Sequence, residues 1–189
     1  MIALLFLDEC GFAPTLPTGY TWGRRGCRVV VPYEAPQGRR VNVVGALAPY
    51  DPAGPSLAFA TRRKADGPYD AAAHLAFVRR IAGLAPETAE TARLERPCVV
   101  VLDNYAVHHA AAVKAAIPAL AEAGVTFCYL PPYSPELNPI EPVWRQVKYQ
   151  DLPERSHPTD TALQIAVEAA LTDRARRLTE PTNELPRRA

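Results

Sequence analysis

Apolar residues recur in five short runs along the chain, each bounded by turn-forming residues. The runs at 2–7, 39–49, 56–63, 97–104 and 125–130 have the length and the aliphatic content that predict β-strands. The first run, IALLFL, and the fourth, PCVVVLDN, are almost wholly apolar, which is typical of strands buried on both faces. A short link containing Gly, Pro and Asp, PYDPAGP, joins the second and third runs, and we expect the first three strands to pair as antiparallel neighbours.

A helical spacing of apolar residues alternates with the later strand runs. Asp70 is placed to cap the first helix, and Thr159 or Asp160 to cap the last. Pro118 lies inside the second helix, which it should kink or split. Residues 85–96 have no clear period and predict a loop or the end of a helix. The four predicted helices cover residues 70–81, 107–123, 140–150 and 159–178.

The order of these elements predicts an α/β domain. Three strands lead, and strand–helix–strand units follow, which implies parallel pairing with right-handed crossovers. We therefore expect a mixed five-stranded sheet with helices on both faces, arranged in three layers. Residues 1–150 should form the body of the domain, and the C-terminal helix and frayed tail of 151–189 should belong to the same domain.

Composition excludes several classes of protein. The formal net charge of the 189 residues is +1, so a nucleic-acid partner would need a local basic patch. No run approaches the ~18 apolar residues of a membrane span, and the first ten residues lack the basic start of a signal peptide. The four cysteines show no metal-type spacing, and we interpret them as reduced core thiols of a cytoplasmic protein. They are Cys10, Cys27, Cys98 and Cys128.

Two acidic residues follow the two most apolar runs, Asp8 after the first and Asp103 after the fourth. If those strands are parallel neighbours, both carboxylates project from one edge of the sheet, where ligands bind in open α/β sheets. Adjacent carboxylates repel unless a cation lies between them, and Mg²⁺ or Mn²⁺ suits oxygen ligands. Glu136 or Glu141 would complete such a site. Taken singly, each aspartate is equally typical of a turn or helix cap.

The Pro-rich block that contains both glutamates leads into the third helix. On that helix Glu141 shares a face with Arg145 and Lys148, while Val143, Trp144 and Val147 are expected to turn toward the core. This face would present one acid and two bases to an anionic polymer. Taken alone, Glu141 is more typical of a first-turn acid favoured by the helix dipole.

Three blocks of sequence resemble the signature blocks of DDE transposases: LDEC at 7–10, VLDNYAVHH at 101–109 and LPPYSPELNPIEPVW at 130–144. The chain is most similar to the bacterial insertion-sequence branch of the mariner-like superfamily. The resemblance implies an RNase H-like fold and a metal-binding catalytic triad of Asp8, Asp103 and Glu141. It implies two Mg²⁺ or Mn²⁺ ions and metal-dependent cleavage and strand transfer of DNA by phosphoryl transfer. The accompanying motif positions, which we expect to support the site, are Asn104, His108, His109 and Asn138.

DNA is the partner that this resemblance implies, and basic side chains are the expected contacts to its phosphates. For any one of them, a solvated surface position is the simpler interpretation. Tyr20, Trp22 and Tyr133 either stack on unpaired bases near the cut or pack in the core or at a hinge. The expected DNA-binding residues are Arg24, Arg25, Arg62, Arg63, Lys64, Arg145 and Lys148.

Full-length members of the family carry an N-terminal helix-turn-helix region, whereas this sequence starts inside the first catalytic strand. One interpretation is an active catalytic domain, whose partners are transposon ends, target DNA, a second copy of the chain and a separate helix-turn-helix chain. The other is a truncated, catalytically silent remnant that serves at most as a DNA-binding or assembly module. Either would lie in the cytoplasm with the nucleoid. A phosphohydrolase fits less well, because Cys10 stands where a second acid belongs.

Overall fold

The computed structural model describes residues 1–16, 23–84, 93–152 and 155–180 of the chain. Its strands are β1 (Ala3–Phe12), β2 (Val41–Ala48), β3 (Ser56–Arg63), β4 (Cys98–Leu102) and β5 (Val125–Tyr129). Its α-helices are α1 (Ala71–Ala82), α2 (Ala111–Glu122), α3 (Glu141–Gln146) and α4 (Asp160–Thr179). The predicted order of strands and helices is confirmed.

The five strands form one mixed sheet in the order β3-β2-β1-β4-β5. The β1–β2 and β2–β3 pairs are antiparallel, whereas the β1–β4 and β4–β5 pairs are parallel. A short link joins β2 to β3, as the sequence predicted, whereas residues 13–40 join β1 to β2, and the intervening helices predicted the parallel pairs. The predicted α/β class and mixed sheet are therefore confirmed, with β1 at the centre.

The prediction that Asp8 ends the first strand is wrong. β1 continues beyond it because antiparallel pairing with β2 extends to Phe12 opposite Val41. Parallel pairing with β4 stops earlier, at Phe6 opposite Val101. Asp8 thus lies two residues beyond the last β1–β4 pair, and Asp103 also lies two residues beyond it on β4. The two aspartates come to the same edge of the parallel pair, although only one of them follows the end of its strand.

Alternate residues of β1 pack into two separate apolar cores, as the period of a strand requires. Cys10 and Phe12 face one core, which α3 and α4 complete. Leu7 faces the other core with α1, β4 and the end of α2. Helices therefore cover both faces of the sheet, which confirms the three-layer arrangement. The parity of β1 also assigns Asp8 to the α3 side and Glu9 to the α1 side.

The helix predictions need one correction. Asp70 caps α1 by accepting a hydrogen bond from the Ala73 N–H, and Thr159 caps α4 by accepting one from Ala162. The segment predicted as one helix over 107–123 is instead a 3₁₀ turn (Ala106–His109) followed by α2. The break falls at Ala110, whose extended ψ of 148° ends the turn. Pro118 lies inside α2 and does not split it.

The helix predicted near 140–150 begins at Glu141 and widens after Gln146 into a π-helical turn, Val147–Asp151. Val143, Trp144 and Val147 are buried, as their spacing predicts. The predictions for residues 85–92 and for the tail from 181 onward lie outside the described residues.

The cysteine prediction is half right. Cys10 and Cys98 are buried, whereas Cys27 and Cys128 are exposed, and all four are free thiols. Cys128 is exposed because alternate residues of β5 face away from the core. None of the described helices combines the length and the apolar character that crossing a membrane requires.

Candidate active site

The three acidic residues of the expected triad line a single cavity of about 380 Å³. Asp8 comes from β1, Asp103 from the loop after β4, and Glu141 from the first position of α3. Glu136 is exposed and does not line this cavity. Of the two glutamates that the sequence left open, the fold therefore brings only Glu141 to the aspartates.

Asp8 is the most perturbed acid of the cavity. Its Oδ2 accepts a hydrogen bond of 2.9 Å from the indole N–H of Trp144. The pKa of Asp8 is raised to about 7, mainly by burial and next by the negative charge of Glu141, while the hydrogen bond from Trp144 acts in the opposite direction. An acid in this state gains strongly from a nearby cation, which would offset both the burial and the repulsion.

Asp103 is exposed and is held by the turn that follows β4. Its Oδ1 accepts the backbone N–H of Tyr105 at 2.9 Å, which is the turn-forming bond typical of a strand-end aspartate. The Nδ1 of His108 lies 3.1 Å from both the backbone oxygen and the Oδ1 of Asp103. The turn role and the site role are therefore compatible, because about half of the Asp103 side chain remains exposed.

Glu141 is placed by Asn138, the buried asparagine of the Pro-rich block. The amide of Asn138 donates to the backbone oxygen of Leu7 at 3.2 Å and so ties this block to β1 beside Asp8. Its Oδ1 accepts the N–H of Ile140, and its backbone oxygen accepts the N–H of Glu141. Asn138 thus fixes where α3 begins. The sequence predicted that Asn138 supports the site, and these bonds show how it would position Glu141.

The donor set fits divalent metal ions. Three carboxylates on one wall provide the oxygen ligands that Mg²⁺ and Mn²⁺ prefer. Among the described residues, only Glu9, His74 and His108 bring three ligand atoms within 4.8 Å of one another. The ligand atoms of the triad acids are thus more widely spread than those of this cluster.

The two adjacent histidines have different surroundings. His108 is fully buried, and its Nε2 lies 3.0 Å from Oε1 of Glu9. Burial opposes protonation of His108, but the bonds and charges of Glu9 and Asp103 outweigh it and raise the pKa of the imidazole. His109 stacks on Tyr129 and lies 3.3 Å from Oδ1 of Asn104. Of the two histidines, only His108 contacts Asp103.

Asn104 and His109 connect the loop after β4 to the end of β5, and within the described part of the chain their side chains form no hydrogen bond with the acids of the triad. The amide of Asn104 donates to the backbone oxygen of Leu130 at 2.8 Å, which connects the loop after β4 to the residue that follows β5. Asn104 also lines the cavity of the triad. The pair therefore holds together the two loops that carry Asp103 and the Pro-rich block.

Sequence reasoning missed three residues that the fold places beside the triad: Glu9, His74 and the polar side of Trp144. Glu9 could have been found by its position next to Asp8, and Trp144 by its spacing of three residues from Glu141. His74 gave no signal, because it lies at a core position of α1 and only the tertiary fold brings it to His108.

The basic residues divide into two groups. Arg145 and Lys148 line a cavity with Asp8 and Glu141, and Arg62 lines another with Asp8 and Asp103. The remaining four do not line any of these cavities. Arg63 forms an exposed ion pair with Asp66, and the others are exposed to solvent, namely Arg24, Arg25 and Lys64.

Tyr133 stands fully exposed at the rim of the triad cavity, with a backbone φ of 56°. The alternative that it packs in the core is therefore wrong. Tyr20 and Trp22, the other aromatic candidates, lie outside the described residues.

A family model described as DDE superfamily endonuclease matches residues 3–164. The chain belongs to this family. The matched range contains all three acids of the triad, and enzymes of this family use divalent metal ions. The match does not favour the alternative of a silent remnant. No sequence match was found among curated proteins.

Solved transposase structures share the fold. The Mos1 strand transfer complex superposes with a TM-score of 0.60 at 12% identity, over 94% of this chain and 49% of that one. The Mos1 transposase paired-end complex with left transposon end gives 0.62 at 15% identity, over 92% and 48%. The Mos1 paired-end complex with Mn gives 0.58 at 14% identity, over 94% and 50%. This chain thus spans about half the length of these relatives, and the RNase H-like fold is confirmed.

Proposed function

We propose that the chain is the catalytic domain of a transposase that cleaves and joins DNA phosphodiesters with two divalent ions, Mg²⁺ or Mn²⁺. The observation that carries the proposal is the shared cavity of Asp8, Asp103 and Glu141, in which the charge of Glu141 raises the pKa of Asp8. Family membership and the likeness to transposase–DNA complexes support it.

Asp8, Asp103 and Glu141 would hold the ions. When bound, such ions supply Lewis-acid activation of the attacking water or 3′-hydroxyl and neutralise charge on the phosphate. The protein provides the preset positions. Trp144 holds Asp8, and His108 holds Asp103 through both its backbone and its side chain. Few groups need to reorganise during the reaction, which is how electrostatic preorganisation lowers a barrier.

DNA would approach across the rim that carries Arg62, Arg145 and Lys148. Each of these three basic side chains, all within the described part of the chain, lines a cavity together with acids of the triad. Contacts from such cations to phosphates release counterions, so we expect binding to weaken steeply with salt. With chromosomal DNA as the substrate, the protein would act at the nucleoid in the cytoplasm.

A second copy of the chain is part of the proposal, because two element ends need two active sites. The paired-end complexes of Mos1 transposase support such an arrangement. Recognition of the ends would fall to a helix-turn-helix region or to a separate chain that carries one. Size-exclusion chromatography with end-bearing DNA distinguishes a paired complex from a single bound chain.

The test of the activity is nicking of supercoiled plasmid with Mg²⁺ or Mn²⁺. We expect Asp103→Asn and Glu141→Gln each to abolish nicking while the circular dichroism spectrum is retained. Glu136→Gln is the matched control, since it removes an exposed carboxylate from the same Pro-rich block and should cleave like the wild type. Undiminished cleavage by either triad variant, or cleavage after metal removal, contradicts the proposal.

A further inference from the structure

A second cluster of metal-ligating side chains lies on the other face of β1. Glu9 follows Asp8 in the strand and points to the α1 side, where it meets His74 of α1 and His108 of the loop after β4. One ligand atom from each of the three lies within 4.8 Å of the other two. None of these residues belongs to the proposed triad.

His74 is the unusual member of this cluster. Its side chain is fully buried, its Nδ1 lies 3.0 Å from the hydroxyl of Tyr69, and its Nε2 has no hydrogen-bond partner among the described residues. A buried nitrogen without a partner is costly, since it loses its bond to water and gains nothing in return. If Nδ1–H donates to Tyr69, the Nε2 lone pair is free to bind a ligand. This tautomer and this outer partner are those of a metal-bound histidine.

His108 has the matching arrangement. The backbone oxygen of Asp103 accepts from Nδ1, and Nε2 faces Oε1 of Glu9 at 3.0 Å. The hydrogen bond from Nδ1 thus orients the imidazole ring of His108, and Nε2 faces the carboxylate of Glu9. Without a metal, a proton on Nε2 bridges the pair. A metal ion would replace that proton, which would leave to solvent.

We propose that Glu9, His74 and His108 form a second metal site, selective for Zn²⁺ or a similar transition-metal ion over Mg²⁺. Two imidazole nitrogens and one carboxylate oxygen are a donor set that suits Zn²⁺, whereas Mg²⁺ prefers oxygen alone. Ligand atoms around a tetrahedral zinc lie roughly 3.3 Å apart. The distances between the three ligand atoms therefore need to shorten by about 1.5 Å or less to bind the ion. This proposal is independent of the function proposed for the triad.

Access to the site is provided by a cavity of about 410 Å³, which Glu9 and Tyr69 both line. The side chain of Glu9 is 21% exposed, so an ion can reach the cluster from solvent along this cavity. The fourth coordination position would face this cavity. His108 also contacts Asp103 through Nδ1. An ion bound to its Nε2 would therefore restrain the position of one acid of the triad.

The test measures Zn²⁺ bound per chain by plasma mass spectrometry after dialysis in excess Mg²⁺, with Co²⁺ absorption as a second readout. We expect one Zn²⁺ per wild-type chain and the visible bands of tetrahedral Co²⁺. His74→Phe keeps an aromatic ring in the core but should weaken Zn²⁺ binding by more than about 100-fold, beyond the loss expected for an outer partner. Glu9→Gln provides a second ligand variant if His74→Phe does not fold.

Three further variants separate this site from its surroundings. Tyr69→Phe removes only the outer partner of His74, so we expect binding weakened by about 10- to 100-fold. His109→Phe, which retains the ring on Tyr129, and Glu141→Gln in the triad should both retain the ion. The proposal is overturned if the folded wild type retains no Zn²⁺, if His74→Phe and Glu9→Gln bind like the wild type, or if Glu141→Gln abolishes binding.

Discussion

Trp144 joins the apolar core to the acidic cavity, because its indole N–H donates to Asp8 across 2.9 Å while the residue is only 2% exposed and packs in the core on the α3 side. The bond favours the ionised form of Asp8 against burial and the charge of Glu141. One side chain thus contributes both to the stability of the α3 side of the domain and to the charge state of the candidate site.

Trp144→Phe should separate these two contributions. The ring remains in the core, but Asp8 loses its only side-chain donor among the described residues and its pKa rises further. We expect Mn²⁺ to bind about 10- to 100-fold more weakly, as for other losses of an outer partner. Calorimetric titration measures the change. Tyr149→Phe, at an exposed ring on the wall of a cavity shared with Asp8, is the control and should bind Mn²⁺ normally.

Gly45 of β2 lies opposite Asp8 in the sheet and leaves room for the same indole. A Cβ added there would clash with Cη2 of Trp144 and lie 2.8 Å from its Cζ2. Gly45→Ala should therefore destabilise the fold by about 1–3 kcal/mol through overpacking. Urea denaturation measures this loss.

The same substitution in a Trp144→Phe background provides the control. Phenylalanine lacks the two indole atoms that obstruct the added methyl group, so Gly45→Ala should cost less there. We expect a favourable coupling of about 0.5–3 kcal/mol between the two positions. Additive losses would show that the strain lies elsewhere, for example against Ile140.

Asp8→Asn should stabilise the metal-free protein. The folded pKa of Asp8 is about 7, above its ordinary value of 3.8, so the folded chain binds more protons than the unfolded chain between these values. Stability of the wild type therefore falls as pH rises through this window, whereas asparagine has no such loss. The advantage of Asp8→Asn should be near zero below about pH 4 and reach at most about 4 kcal/mol above pH 7.

Urea denaturation of the two proteins across this pH range, with metal removed, measures the difference. Mg²⁺ should stabilise the wild type and reduce the advantage, because bound cation offsets the charge that burial opposes. Glu136→Gln removes an exposed acid and should show neither effect. An Asp8→Asn protein that is less stable than the wild type at every pH would contradict the assignment of Asp8 as a strained acid.

The sequence predicts the architecture well because its signals are local. Apolar runs, cap residues such as Asp70, and turn-rich links specify strands and helices within a few residues of one another. The same locality explains the errors at Asp8 and Ala110. The length of β1 depends on pairing with β2, about 35 residues further along the chain, and this pairing carries the strand past a carboxylate that would end it on local grounds.

The site is predictable in part, for a similar reason. Asp8 and Asp103 lie just beyond the paired parts of two parallel strands, so their convergence follows from the strand order, and Glu141 belongs to the Pro-rich block of the motif. The contacts that set the charge and orientation of these acids cannot be predicted in this way. His74 meets His108 only after α1 packs on the sheet, and the indole N–H of Trp144 meets Asp8 only through the angle of α3. Such contacts depend on tertiary packing, which no local pattern records.

Tyr133 holds an aromatic ring in solvent at the rim of the triad cavity, on a backbone with φ of 56° that side chains rarely adopt. This conformation costs a tyrosine about 1–2 kcal/mol, whereas asparagine tolerates it. Tyr133→Asn should therefore leave the fold as stable as the wild type or slightly more so. Thermal unfolding measures this effect.

The same substitution, Tyr133→Asn, should weaken DNA binding, although it does not lower the stability of the fold. If Tyr133 stacks on an unpaired base beside the cleavage site, its loss removes about 1–3 kcal/mol of binding, which corresponds to roughly 5- to 150-fold in affinity for DNA with an unpaired end. Tyr133→Phe keeps the stacking surface and should bind like the wild type. Equal affinities of all three proteins for such DNA, measured by fluorescence anisotropy, would show that the exposed ring does not contact the bases.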